Sequence, residues 1–326
     1  MRGAVLALSI LLLFGAPRVH AEFLSWNGWT LNFQVSGDFD GLSLTNVMYQ
    51  NRQIIRKISL PVMRVFYDDD ACGPFADRLG GTLSPIPWAN NAIIAQREFT
   101  LAGRSWYELG IRDQIGNYDI YQVYYLSQDG IIDAHIYSKG LQCVVNHIHY
   151  PNWRVDFDID GSDMDQIQLD TGTGFQTSGI EFDANAGVAI NHGWRVTDSV
   201  TGLHADVLPG FTDFTIPDAN SEAVSDYSNH TVFGRLYRTA EDTGWIQGPN
   251  TQVPYGDGEA IDNQNIVFWY EAYLPHSAAE SSDLWHSTGV RLAVDTSSLP
   301  TPPPPPPSNT QTVTNAAANA IPDSGA

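Results

Sequence analysis

Asn146-His-Ile-His-Tyr-Pro-Asn-Trp-Arg-Val-Asp156 is the stretch on which the reading of this chain turns. Along a β-strand, side chains alternate between the two faces, so positions i and i+2 share a side with their Cβ atoms roughly 6–7 Å apart. His147 and His149 therefore present both imidazoles to one face, where they can reach the same metal ion. A pair of polar residues on a solvated strand face is the plain alternative.

The sequence on either side supports a strand there. Short runs rich in Val, Ile, Tyr, Phe and Trp recur between Gly, Asp and Asn breaks: Val62 to Tyr67, Tyr121 to Leu126, Ile131 to Tyr137, Trp153 to Ile159, Gly187 to Ile190 and Ile266 to Tyr273. No helical period is sustained. The pattern predicts an all-β fold, a large β-sandwich with one sizeable core over residues 22–298. Gln128-Asp-Gly130, between two of these runs, predicts a hairpin turn. From residue 299 the character changes. Pro302 to Pro307 predict a stiff polyproline spacer, and residues 299–326 read as a Pro-rich disordered tail.

Residues 1–21 read as a secretory signal peptide. Arg2 supplies the basic end, Ala4 to Phe14 the apolar run and Val19-His20-Ala21 the cleavage site, which predicts a secreted, extracellular product starting at Glu22. No other stretch has the length of a membrane span. The formal net charge of −21 disfavours nucleic acid and anionic membranes as partners and attracts cationic small molecules. Asn229-His-Thr231 is a glycosylation sequon. Cys72 and Cys143 are the two cysteines; an oxidising compartment permits a disulfide between them, and two separate thiols are equally open.

Other elements fall in a fixed order around the histidine pair. Gly116-Asn-Tyr-Asp119 precedes a hydrophobic run and Gln128-Asp-Gly130; after His147 and His149 come Arg154-Val-Asp156 and Asp160-Gly161; then, far on, Ile266-Val-Phe-Trp269 with His276 beyond it. This order resembles the catalytic domain of the copper-containing, topaquinone-dependent amine oxidases. Asn51 to Asp68 resemble that family's strand leading to a Pro-Tyr-x-Asp turn, here Phe66-Tyr67-Asp68, and Trp194 to Pro209 and Leu236 to Glu241 resemble later segments. The similarity runs collinearly from about Asn51 to Val294.

The resemblance implies His147, His149 and His276 as copper ligands, a donor set that suits Cu(II) with positions left open for water or oxygen. It implies Tyr118 as the tyrosine oxidised to topaquinone, Asn117 and Asp119 as its flanking positions, and Tyr67 as the hydroxyl that holds the ring. The activity implied is conversion of a primary amine and O2 to an aldehyde, ammonia and hydrogen peroxide, because a quinone condenses with the amine and accepts the electron pair left when a carboxylate removes the α-proton. Asp156, the carbonyl of Phe157 and Asp158 match peripheral Ca²⁺ ligands. A homodimer is the expected assembly.

The pattern is also broken in places. The family's catalytic aspartate lies in a longer segment than the one here, and the best counterpart is Asp77 in Phe75-Ala-Asp77-Arg-Leu-Gly80, with Asp68 to Asp70 as alternatives. Asn265 stands where a further calcium aspartate is expected. After His276 the family's Pro-Arg-x-Glu-Asp becomes Ser277-Ala-Ala-Glu280. The competing expectation is a non-oxidase on the same sandwich: a metal-binding scaffold, a binding module or a biosynthetic catalyst without the quinone. Other His-x-His sites fit less well. A cupin needs a glutamate where Trp153 and Arg154 stand, and a carbonic anhydrase places its third histidine much closer than His276.

Overall fold

The computed structural model describes residues 21–36, 40–161, 164–185, 193–210, 214, 216, 223–225, 227, 229–239 and 256–295. The expected signal peptide, apart from Ala21, the Pro-rich tail and the run Gly187 to Ile190 lie outside them. Among the described residues there is no α-helix, and no helix long and apolar enough to cross a membrane.

Two large sheets, antiparallel but for one parallel edge pairing, form a β-sandwich. The first runs in the order Ala21–Trp26, Trp29–Ser36, Gly41–Tyr49, Arg52–Tyr67, His147–Phe157, Ile266–Ala272, His230–Leu236, Phe182–Asn185. Leu274–His276 pairs with the start of His147–Phe157, and Phe75–Asp77 with Arg52–Tyr67. The second sheet centres on Trp285–Asp295, Ile131–Lys139, Tyr118–Ser127 and Arg104–Ile115.

Between the sheets, Leu31, Leu44, Ile58 and Val155 from one side meet Leu109, Ile120, Tyr124 and Ala134 from the other. Polar groups caught in this layer are paired across it. Gln122 exchanges two bonds with the backbone of Leu42 (2.9 and 2.8 Å), Tyr124 donates to Leu42 O (3.0 Å), and Trp29 Nε1 donates to Ser127 O (2.6 Å). Each satisfies a group that would otherwise cost about 1–3 kcal/mol to bury.

A second apolar cluster, with Tyr121, Tyr125, Tyr137, Trp285, Phe214 and Ile216, covers the outer face of the second sheet. Tyr118–Ser127 is therefore buried at every position. This explains its sequence, which lacks the apolar–polar alternation of a half-exposed strand and reads as one continuous run. Ile266–Ala272 is buried throughout in the same way.

Gln128-Asp-Gly130 makes the predicted hairpin, with Gly130 at φ +92°, a conformation that suits glycine. The run beginning at Trp153 belongs to a longer strand that opens at His147 and closes at Phe157; beyond it Ile159–Gly161 forms a single 3₁₀ turn with Asp160 at φ 60°.

Cys72 and Cys143 form a disulfide with their Cα atoms 6.1 Å apart. It ties the turn after Arg52–Tyr67 to the loop that feeds His147. Cross-linking positions 71 residues apart restricts the unfolded chain, an effect of about 2–4 kcal/mol. Replacing both cysteines by serine is expected to lower unfolding stability by that order and to make it insensitive to dithiothreitol. An unchanged urea midpoint would contradict the linkage.

Candidate metal centre

Three neighbouring strands bring the site together. In His147–Phe157, His147 stands opposite Tyr67 on one side and opposite His276 on the other, while His149 stands opposite Leu274. Cross-strand partners share a face, so Tyr67, His147 and His276 form one row and His149 joins from two residues along. The rings follow this order: Tyr67 stacks on His147 at 4.7 Å between centroids, and His147 on His276 at 4.8 Å with planes 4° apart. His149 is 5.1 Å from His147 and 5.0 Å from His276.

The second sheet supplies the fourth element. Tyr118, first residue of its strand, points its ring at all three imidazoles, with centroids 4.8 Å from His149, 5.8 Å from His147 and 6.0 Å from His276. Its hydroxyl lies 2.9 Å from His147 Nε2 and 3.2 Å from the Tyr67 hydroxyl, and accepts the Gln142 N–H at 3.1 Å. Gly140 lets the loop carrying Gln142 come this close: it sits at φ +129°, and a Cβ there would strike the Asn117 carbonyl and lie 3.0 Å from Tyr118 Cα.

The hydrogen bonds fix which ring nitrogens are bare. His147 Nδ1 donates to the Val145 carbonyl at 2.8 Å, so its Nε2 carries the lone pair. His276 Nδ1 is 2.5 Å from Glu280 Oε1, and its Nε2 has no partner among the described residues. Both nitrogens of the fully buried His149 also lack one. Buried polar atoms are nearly always bonded, and such a cluster of bare nitrogens calls for a ligand. One donor atom from each histidine lies within 4.8 Å of the others. Movements of about 1 Å or less bring that span to what metal–imidazole bonds of roughly 2 Å require.

The electrostatics agree. Burial first, then the neighbouring imidazoles of His276, His147 and His286, hold the His149 pKa well below the ordinary histidine value. Burial, with His286 and His147, takes His276 down to about 2, and burial lowers His147 as well. All three are neutral near pH 7, the form that ligates metal. Burial raises both the Tyr118 and the Tyr67 phenols.

Asp77 lies in Phe75–Asp77, opposite Met63. Burial pushes its carboxyl up to about 6, and its charge contributes to the raised pKa of both Tyr67 and Tyr118, so it stands within electrostatic reach of the site. Asp68, Asp69 and Asp70 are exposed, and Asp69 caps its own turn through the Ala71 N–H at 2.9 Å.

The other expected positions lie elsewhere. Asn117 is exposed at the turn, bonded to the Leu141 carbonyl at 3.4 Å; the Asp119 carboxylate pairs with Arg112. Asp156 is buried and accepts from Arg56 Nε at 2.9 Å, Phe157 lies in the core, and the Asp158 N–H bonds Ile54 O at 3.2 Å. Neither Asp156 nor Asp158 belongs to the groups of metal-capable side chains that converge among the described residues. Those are His147–His149–His276, His276–Glu280–His286 and Glu181–Asp257–Glu259, the last with Arg238 bound to two of its carboxylates.

Gln142 and His286 were not legible from sequence. Gln142 acts through its backbone, and His286 reaches the site only because its strand returns beside His276.

No family model matches this sequence, and no curated protein sequence matches it. Solved structures do match in shape. The lysyl oxidase of Pichia pastoris superimposes with a TM-score of 0.63 at 15% identity, covering 84% of this chain and 52% of that one. The copper-containing benzylamine oxidase of Hansenula polymorpha gives 0.61 at 14% identity, covering 90% and 63%. An amine oxidase of Aspergillus nidulans gives 0.56 at 14% identity, covering 93% and 56%. The fold is amine oxidase-like. The chain spans about half to just under two thirds of the length of these structures.

Within this amine oxidase-like fold the buried imidazoles make a prediction for the metal-free protein. A histidine whose folded pKa is depressed adds stability above its unfolded pKa, about 6.5, and loses it as the pH falls below. His149→Gln removes that dependence. The stability of wild type relative to the variant should therefore fall between about pH 7.5 and pH 5, read by urea unfolding with chelator present. A difference constant with pH would contradict the assignment.

Proposed function

We propose that this chain is a secreted, copper-dependent oxidase of primary amines whose organic cofactor is made from Tyr118. The observation that carries this reading is the Tyr118 hydroxyl 2.9 Å from His147 Nε2, beside two further histidines with bare, buried nitrogens. The donor set fits copper, since three neutral imidazoles on adjacent strands leave coordination positions open. The amine oxidase-like fold and the collinear motifs support the same conclusion.

Copper held by His147, His149 and His276 would, with O2, convert the Tyr118 ring to topaquinone, which supplies the electron sink for amine oxidation. The overall change balances as RCH2NH2 + O2 + H2O giving RCHO + NH3 + H2O2. The chain's own groups handle position and protons. The Tyr67 hydroxyl and the Gln142 N–H hold the Tyr118 oxygen from two sides, and the stacking of Tyr67 on His147 keeps that hydroxyl in place. Asp77 is the proton acceptor: with its pKa near 6 it is mostly ionised at pH 7 yet basic enough to take a proton from an activated carbon. The negative charge of the chain favours arrival of a cationic amine.

The test is direct. Copper-loaded protein purified in air should develop a visible quinone band that shifts with phenylhydrazine and is absent in Tyr118→Phe. A colourless, unreactive protein with copper bound would overturn the oxidase and leave a metal-binding scaffold. Asp77→Asn should keep the band while losing about 10²-fold or more in kcat, and wild-type turnover should fall as the pH drops through about 6, where Asp77 protonates. Activity retained by Asp77→Asn would exclude it as the base.

A further inference from the structure

The loop from Ser277 to Leu284, between Leu274–His276 and Trp285–Asp295, carries a carboxylate on which two donors and the His286 imidazole converge. Glu280 Oε1 lies 2.5 Å from His276 Nδ1; Oε2 accepts the Ser277 N–H at 2.8 Å and lies 3.1 Å from His286 Nε2. The three side chains are nearly dry, with 0% of His276, 8% of Glu280 and 7% of His286 exposed. The first half of the loop is pinned twice. The Glu280 N–H returns to Ser277 O at 3.1 Å, and the Ala278 N–H bonds Asn146 Oδ1 at 3.0 Å, next to His147. The His286 ring lies 4.2 Å from that of His276.

An ionised carboxylate only accepts, so the proton in the His276–Glu280 contact belongs to Nδ1. That leaves Nε2 with its lone pair and no partner among the described residues, on a ring that converges with those of His147 and His149. We propose that Glu280 and His286 are positioning residues of the metal centre. Glu280 locks His276 into the Nδ1–H tautomer, the Ser277 N–H holds the second carboxylate oxygen so that the first keeps its aim, and the His286 ring packs against that of His276. This rests on the metal reading of the three histidines. A carboxylate bonded to the far nitrogen of a ligating imidazole also raises its basicity and fixes its plane, and loss of such a partner typically costs 10–100-fold in metal affinity.

The same three side chains suggest a second ion bridged by His276. The geometry disfavours it. Both Glu280 oxygens are already taken up by nitrogen donors, and a bridging His276 would have to give up its one remaining ring proton, on Nδ1.

Long-range ¹H–¹⁵N correlation of the metal-free protein near pH 7 should find His276 protonated on Nδ1 and bare on Nε2. Glu280→Ala should lose that preference and bind Cu(II) about 10–100-fold more weakly in competition with a chelator, with an altered EPR hyperfine pattern. Glu280→Gln, whose amide oxygen still accepts the proton, should keep the tautomer. His286→Ala should weaken binding less than Glu280→Ala. His276 protonated on Nε2 in the wild type would overturn the proposal. So would a Glu280→Ala protein with wild-type melting, affinity and EPR spectrum, or two copper ions per wild-type chain with one lost in Glu280→Ala. Because the tautomer is read without metal, its failure is distinct from failure of the copper assignment.

Discussion

One register sets this molecule's chemistry: His147 opposite Tyr67 on one side and His276 on the other. Side chains on a strand alternate, so a slip of one residue would turn His147 and His149 to the other face and dissolve the site. The Arg52–Tyr67 strand, running the length of the first sheet, and the cross-sheet bonds of Gln122, Tyr124 and Trp29 hold that register and the spacing at which Tyr118 arrives from the opposite sheet. The Cys72–Cys143 bridge joins the two loops beside it.

Dryness is the second constraint. Burial keeps the three imidazoles neutral and leaves three of their nitrogens without a bond, a cost of about 1–3 kcal/mol for each in the metal-free protein. A bound ion removes that cost and uses the neutral form that burial enforces. The same environment lifts Asp77 toward neutrality, which weakens its hydration and suits it to proton transfer. The neutral imidazoles and the raised Asp77 carboxyl thus share one physical cause.

Much of this was legible in the sequence, for identifiable reasons. The two-residue period placed His147 and His149 on one face, and hydrophobic runs marked most of the central strands. Collinear motifs placed Tyr67, Tyr118 and His276 with them, and the structure brings all five together. Strand limits were less legible: Trp153 to Ile159 looked like a unit because Pro151 and Asn152 interrupt its apolar character, yet pairing with Arg52–Tyr67 carries the strand back to His147. The role of Glu280 was hidden because a loop contact has no period. That of His286 was hidden because its strand looks like any other buried one, and what matters is its return beside His276.

The proposed chemistry needs one ion at one place. A crystal of copper-loaded protein measured on both sides of the copper absorption edge locates that ion without reference to activity. A single anomalous peak is expected within about 2 Å of a nitrogen from each of His147, His149 and His276, on the side facing Tyr118. No peak there, or copper held elsewhere with these three imidazoles still bare, would contradict it.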